Sequence, residues 1–230
     1  MPRPRFNKLP VEKREQIMEA AAKEFATFGY DEASMNRILE QAEVSKGAAY
    51  YYFDDKADLL VTAAEFYVRR MLGEINIFPE LPASQPLDLS WQSFEGIIRV
   101  QLERLTAETF WSSIKAVFRQ TIPTYLEDPW KLTVWKASTR LSQEARSNPL
   151  LADLWNRAMG FFKMFLERGQ TLGVIRTDLP DDLLLALVRG VDSATDEWMV
   201  ENLPELDAER AVIFYELVID GLARLILPPG

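Results

Sequence analysis

Apolar residues recur every three to four positions along most of this chain, and no stretch alternates convincingly as a half-buried strand would. That periodicity confines the fold to packed helices. Over residues 11–28 it places Ile17, Met18, Ala21, Phe25 and Phe28 on one face, and Gly29 stands where a helix would leave the right-handed region. Ser34 is set to cap a short helix carrying Met35, Ile38, Leu39 and Ala42. Ser45 is set to cap another, running through Tyr51 or Tyr52. Asp55 caps the next, with Asp58 favouring its positive end, and the stripe Leu59, Leu60, Ala63, Phe66, Tyr67, Met71 carries that helix to about Ile77. Pro79, Pro82 and Pro86 make 78–89 a loop. Later prolines divide the remainder into helices expected at about 90–106, 108–122, 129–146, 149–171, 181–201 and 207–226, with a turn at 173–180.

The 230 residues include neither Cys nor His. Disulfides, thiolate metal sites, Ser-His-Asp hydrolysis and His-ligated haem are thereby excluded, whereas carboxylate or lysine chemistry is not. No cofactor fingerprint or metal-ligand spacing is present, so none is expected. No apolar run approaches a membrane span, and the segment from Met1 to Lys8 has no apolar core of a signal peptide. A soluble cytoplasmic protein is the expectation. The net charge of −9 argues mildly against nucleic acid. Residues 1–58 carry nine Lys and Arg against eleven Asp and Glu, so any DNA contact must come from a local arrangement of cations and neutral donors.

Three short helices within 58 residues, the second and third joined by three or four residues, have the layout of a helix-turn-helix. Such a pair cannot fold alone. Ile17, Phe25, Ile38, Leu39, Val44 and Phe53 are the core candidates, and of the three adjacent tyrosines Tyr52 is assigned to the core.

The run from Ala42 to Leu60, AEVSKGAAYYYFDDKADLL, resembles the DNA-binding signature of TetR-type repressors, close to A-G-V-S-K-G-T-L-Y-x-Y-F-x-x-K-x-x-L. Phe25 to Tyr30 followed by Ser34 is similar to that family's F-x-x-x-G-[YF]-x-x-[ST] stretch, and Gly173 to Asp178 resembles its G-x-[IL]-R-x-D turn. The resemblance implies an all-α protein: a three-helix head (1–58) joined by a long helix to a ligand-binding and dimerisation body (59–230). It implies a ligand-responsive regulator, most often a repressor, that binds a pseudo-palindromic operator as a homodimer. It also implies DNA-contact roles for Ser34, Asn36, Arg37, Ser45, Lys46, Gly47, Ala48, Tyr50, Tyr51 and Lys56. Lys46 and Ser45 would read bases, Gly47 allows close approach, and the remainder chiefly position the head on phosphates. Lys56→Ala and Tyr50→Ala should then abolish binding at unchanged stability. Two departures stand out. Glu43 replaces the turn glycine, where a left-handed backbone costs about 1 kcal/mol or more. Ala48 and Ala49 replace Thr/Ser and Leu, leaving a methyl contact but no hydrogen bond. The N-terminal Arg3 and Arg5 read as a disordered tail, the alternative being an arm of Arg3, Arg5 and Lys8 lying in a minor groove as a basic tail.

In the body, Trp91, Phe94, Phe110, Trp111, Phe118, Trp135, Trp155 and Phe162 are candidates to line an apolar effector cavity. Any one of them can instead simply fill a core. Asp192 and Asp196, at i and i+4, would meet either a cationic ligand or Arg189. Residues 181–226 are the expected dimer helices, and an effector would shift the long 56–77 helix between two arrangements. The competing reading is a helical small-molecule carrier or carboxylate enzyme with a vestigial head.

Overall fold

A computed structural model describes residues 4–45, 47, 51–74, 91–202 and 205–229, with the backbone alone at 69, 71–74, 91–94 and 97. Among the described residues there are nine α-helices and no strand: α1 (Val11–Glu32), α2 (Met35–Gln41), α3 (Lys56–Glu74), α4 (Trp91–Arg104), α5 (Phe110–Glu127), α6 (Trp130–Thr139), α7 (Pro149–Thr171), α8 (Asp181–Asn202) and α9 (Ala208–Ile226). None is long and apolar enough to cross a membrane.

The chain forms two compact units, one of residues 1–70 with 130–158 and one of 71–129 with 159–230. The first is built on α1, whose inner stripe of Ile17, Met18, Ala21 and Phe25 is almost wholly buried. Ile38, Phe53, Leu59 and Leu60 close over it, and Val134, Ala137, Leu151 and Leu154 complete the core. α6 packs along α1, so this unit extends beyond the three N-terminal helices. Phe28, expected on the buried stripe, is exposed instead, with the Arg37 guanidinium 4.3 Å above its ring. Phe6 is buried here too, its ring 5.0 Å from that of Phe53.

Caps set the boundaries as local chemistry requires. Gly29 takes φ +67° with open space around it, so backbone conformation rather than crowding selects glycine there. Ser34 Oγ accepts the Arg37 N–H at the start of α2. At α3, Asp55 Oδ1 accepts the Asp58 N–H at 2.8 Å, and the Asp58 carboxylate reaches back to the Asp54 N–H.

Two expected boundaries moved. The helix expected over 129–146 ends at Thr139. Beyond it the Ser142 hydroxyl accepts the Ala145 N–H and the Ser142 carbonyl accepts from Arg146, a local turn that competes with helix. The helix expected to stop at 122 runs on to Glu127 through Pro123. Proline keeps a helical φ but removes one N–H and crowds the carbonyl four residues back, so the helix continues here at a local cost of about 3 kcal/mol.

In the second unit, Phe110, Leu166, Ile175, Leu184, Val188 and Ile226 form the core. α7 ends at Thr171 and the chain turns away at Gly173, φ +69°, with the Val174 and Ile175 N–H groups both reaching the Gly169 carbonyl. Gly169 itself is selected by crowding. A Cβ there would lie 2.3 Å from Ile175 Cδ1 and 2.5 Å from Ile175 Cγ1. The Arg176 N–H donates to the Ile226 carbonyl at 2.8 Å, tying this turn to the end of α9, and its guanidinium grips Asp178 through two bonds of 2.7 Å.

Candidate DNA-binding head and ligand-binding body

α2 and the segment after it form a helix-turn-helix whose turn is closed by Glu43. That residue adopts φ +51°, the left-handed conformation its place in the turn demands. The Lys13 ammonium, from α1, donates to the carbonyls of Ala42 (2.8 Å) and Glu43 (3.3 Å). The strained turn therefore carries a cation on its carbonyls, where the C-terminal end of α2 is negative. Val44, half-buried, packs on the core beneath.

A second cation does the same work for α1. Lys56 Nζ donates to the carbonyls of Asp31 and Ala33, each at 3.0 Å, and sits 4.6 Å over the Tyr30 ring. Burial pushes its ammonium below the ordinary lysine value, against the attraction of Asp31 and Glu24. The same surroundings hold the Tyr30 phenol up, through burial first and then Asp55 and Asp31. Two of its three N–H groups are thus on carbonyls.

The third cation is Arg37. Its Nε and a terminal nitrogen both reach Glu24 Oε1, at 2.8 and 2.5 Å, and the guanidinium also donates to the Glu32 carbonyl. The hydrogen bond to Glu24 raises the Arg37 pKa further. Glu24 Oε1 accepts the Ser34 N–H as well, at 2.7 Å. This carboxylate is wholly buried, and its Oε2 makes no hydrogen bond among the described residues. The α2 N-terminus, read from the sequence as a phosphate site, is thus already satisfied in part by an anion of the chain itself. Glu24 was not among the sequence candidates. It is, however, the charged member of the series 17, 21, 24, 28 at helical spacing, and that is the signal that finds it.

Of the remaining DNA candidates, Ser34 is half-buried as the cap, and Asn36, Ser45, Gly47 and Tyr51 are exposed. Gly47, Tyr51 and Tyr52 have helical backbone. Tyr52 turns inward against the core, as assigned. Lys46, Ala48 and Tyr50 lie outside the described residues, as does Arg3. Arg5 is described: it precedes a short 3-10 turn, Phe6–Lys8, rather than forming a loose tail.

The ligand candidates do not converge on one place. Trp135 and Trp155 belong to the first unit, where Arg146 lies 4.4 Å above the Trp155 ring. Phe110 is fully buried in the second core, with Trp111 and Phe165 at 5.2 and 5.1 Å from its ring and Phe162 packed alongside. The Trp111 Nε1 is buried without a hydrogen-bond partner. Phe118 belongs to another cluster, stacked on Tyr215 at 5.2 Å. There the Tyr215 hydroxyl donates to buried Asp196 at 3.1 Å. Burial, and then Asp196, push the Tyr215 phenol far up; Tyr125 is raised by burial, then by Asp196 and Asp192. Trp91 and Phe94 stand on α4 with side chains outside the description. Among the described residues, no cluster of His, Cys, Asp or Glu is placed to hold a metal.

A turn of this kind after α2, seated on a supporting helix, is the layout of a helix-turn-helix head. Residues 17–63 match the family model described as bacterial regulatory proteins, tetR family. The chain is 23% identical over 179 residues to the HTH-type transcriptional repressor AcnR of Corynebacterium glutamicum, covering 76% of this chain and 75% of that one. Two solved structures are similar over their whole length. A TetR family transcriptional regulator from Chloroflexus aurantiacus gives TM-score 0.56 at 22% identity, with 98% of each chain covered. The transcriptional regulator FadR from Bacillus subtilis, solved in complex with stearoyl-CoA, gives 0.57 at 19% identity, with 91% of this chain and 97% of that one covered. The match to the tetR family model thus covers residues 17–63, and the two solved structures share the fold over the rest of the chain.

Proposed function

We propose that the chain is a ligand-responsive repressor that binds a pseudo-palindromic operator as a homodimer in the cytoplasm and is released by a small apolar or aromatic effector. It catalyses no reaction. Residues 1–58 read DNA and residues 59–230 bind effector and dimerise. The observation that carries DNA reading is the turn itself. A non-glycine residue is held left-handed at Glu43 by Lys13, so the exposed segment of Ser45, Gly47 and Tyr51 is presented at a set angle to α2. Lys46 and Ser45 specify, and Ser34, Asn36, Tyr50, Tyr51 and the free N–H of Lys56 position the head on phosphates. Arg37 contributes mainly by fixing α2 on α1.

Dimerisation is supported by the last two helices. Ile213, Leu217 and Leu225 form an exposed stripe on α9 at four-residue spacing, with Gly221 leaving open space between them. Leu183 and Trp198 are exposed on α8. An apolar face of this kind on a water-facing helix marks a protein contact. Two-fold symmetry then sets half-site centres ~34 Å apart or a multiple of it. The effector acts by favouring one of two arrangements of the body, typically worth about 1–3 kcal/mol of coupling. The Trp111 N–H, buried without a partner, is the candidate polar group to orient it.

The test is selection of genomic fragments by the purified protein at moderate salt. A shared pseudo-palindrome, lost when cell metabolites are added, is the expected result. Enrichment of unrelated fragments, or of none with and without metabolites, would overturn the proposal.

A further inference from the structure

We infer that Arg5 is a DNA-phosphate contact, mounted on the recognition segment by its neighbour Phe6; the inference rests on the DNA-binding reading above. Four observations carry it. Phe6 is buried to 4% exposure, with its ring 5.0 Å from Phe53 and 6.4 Å from Tyr52. The Lys8 and Leu9 N–H groups close a short turn onto the carbonyls of Arg5 and Phe6. The arm is therefore anchored one residue after Arg5. The Arg5 guanidinium carbon lies 3.7 Å from the centroid of the Tyr51 ring, a cation–π stack on a side chain that is 46% exposed. Among the described residues no carboxylate or carbonyl is bonded to that guanidinium.

The contrast with the other cations of the head sharpens the point. Lys13, Arg37 and Lys56 all spend donors on the chain's own oxygens. Arg5 does not. Stacking occupies the face of a guanidinium and leaves its edge, with five N–H donors, free for two oxygens of a phosphate. Tyr51 is also the exposed aromatic of the segment read as entering the major groove. An arginine lying on it is beside the DNA backbone as soon as the head docks. In a chain of net charge −9 a cation so placed matters more than it would on a basic surface.

The experiment measures binding of an operator fragment, selected with the wild-type protein, across 50–200 mM salt for wild type, Arg5→Ala, Arg5→Lys and Phe6→Ala. Each lost phosphate contact flattens log K against log salt by ~0.9, so a dimer of Arg5→Ala flattens by ~1.8. That is about tenfold less affinity lost over this salt range. Arg5→Lys keeps the wild-type slope. Phe6→Ala, compared at a temperature where circular dichroism shows it folded, flattens the slope as Arg5→Ala does. Wild-type slope in Arg5→Ala overturns the inference while leaving DNA binding intact. Failure of the wild-type protein to select any fragment overturns the DNA-binding reading and this inference with it.

Discussion

In the N-terminal unit, Lys13, Arg37 and Lys56 turn their charges onto backbone carbonyls at the ends of α1 and α2, and a buried carboxylate gathers the α2 N-terminus. In the second unit, Lys115 and Arg119 reach across from α5 to Asp220 and Glu216 on α9, while the Tyr215 phenol bonds buried Asp196. The head adds charge to a large buried core, fixing α2 and the ends of α1 upon it. The second unit has the smaller buried core, and apolar side chains remain exposed on α8 and α9. One unit buries the larger core and fixes its helix ends with charge; the other buries a smaller core and leaves an apolar stripe exposed on α9.

Breaking that comparison begins with its largest expected effect. Leu217→Lys places a charge on the most exposed apolar residue of α9, at 65% exposure. The expected outcome is monomer at micromolar concentration by sedimentation, with the helical circular dichroism spectrum retained. In the head, Glu24→Ala strips the anion that holds Arg37 and the Ser34 N–H. Breaking a buried pair costs about 3–5 kcal/mol, and because Arg37 is half-exposed the loss should lie nearer 2–3. Denaturant unfolding measures it. The double variant Glu24→Leu with Arg37→Leu should recover most of the loss, since an apolar pair leaves no orphaned charge.

A pH titration sharpens the contrast from the other side. Tyr125 and Tyr215 are held neutral in the fold at pH values where the unfolded chain, with tyrosines near 10.0, ionises. Their stabilisation is complete below pH 10 and is lost as pH rises above it, by about 1.4 kcal/mol per pH unit for each tyrosine. Unfolding measured over pH 9–11 should show this fall, and Tyr215→Phe should reduce it. Gly169→Ala forces Ile175 to move and should cost about 1–3 kcal/mol by the same measurement. The smallest effect is expected of Lys56→Met, about 1 kcal/mol, from loss of two carbonyl contacts on a half-exposed ammonium. The substitution proposed from sequence, Lys56→Ala, therefore reports on stability as well as on DNA.

What the sequence revealed was mostly local. Ser34, Asp55, Gly29, Gly173 and the strain at Glu43 were legible because a cap or a left-handed residue acts within four positions. The helix at 149–171 was legible to its ends because Asn148-Pro149 and Gly173 punctuate it. Ser142 was not, since a serine hydroxyl competing with helix looks the same in sequence as one facing water. The burial of Phe6 and Glu24 depends on partners up to 47 positions away: Phe53 for the first, and Arg37 and Ser34 for the second. The ligand candidates suffered most. Aromatics are core residues and cavity residues alike, and the pairing of α1 with α6 that carries Trp135 into the first unit is a tertiary fact.

The Lys13 bonds to Ala42 and Glu43 join residues 29 and 30 positions apart. They make the turn of the helix-turn-helix a product of α1 docking rather than a preformed hairpin of two helices. In hydrogen-exchange terms, the amides of α2 should open together with those of α1, as a single cooperative unit. A fragment lacking the first helix would then present neither the turn nor its angle.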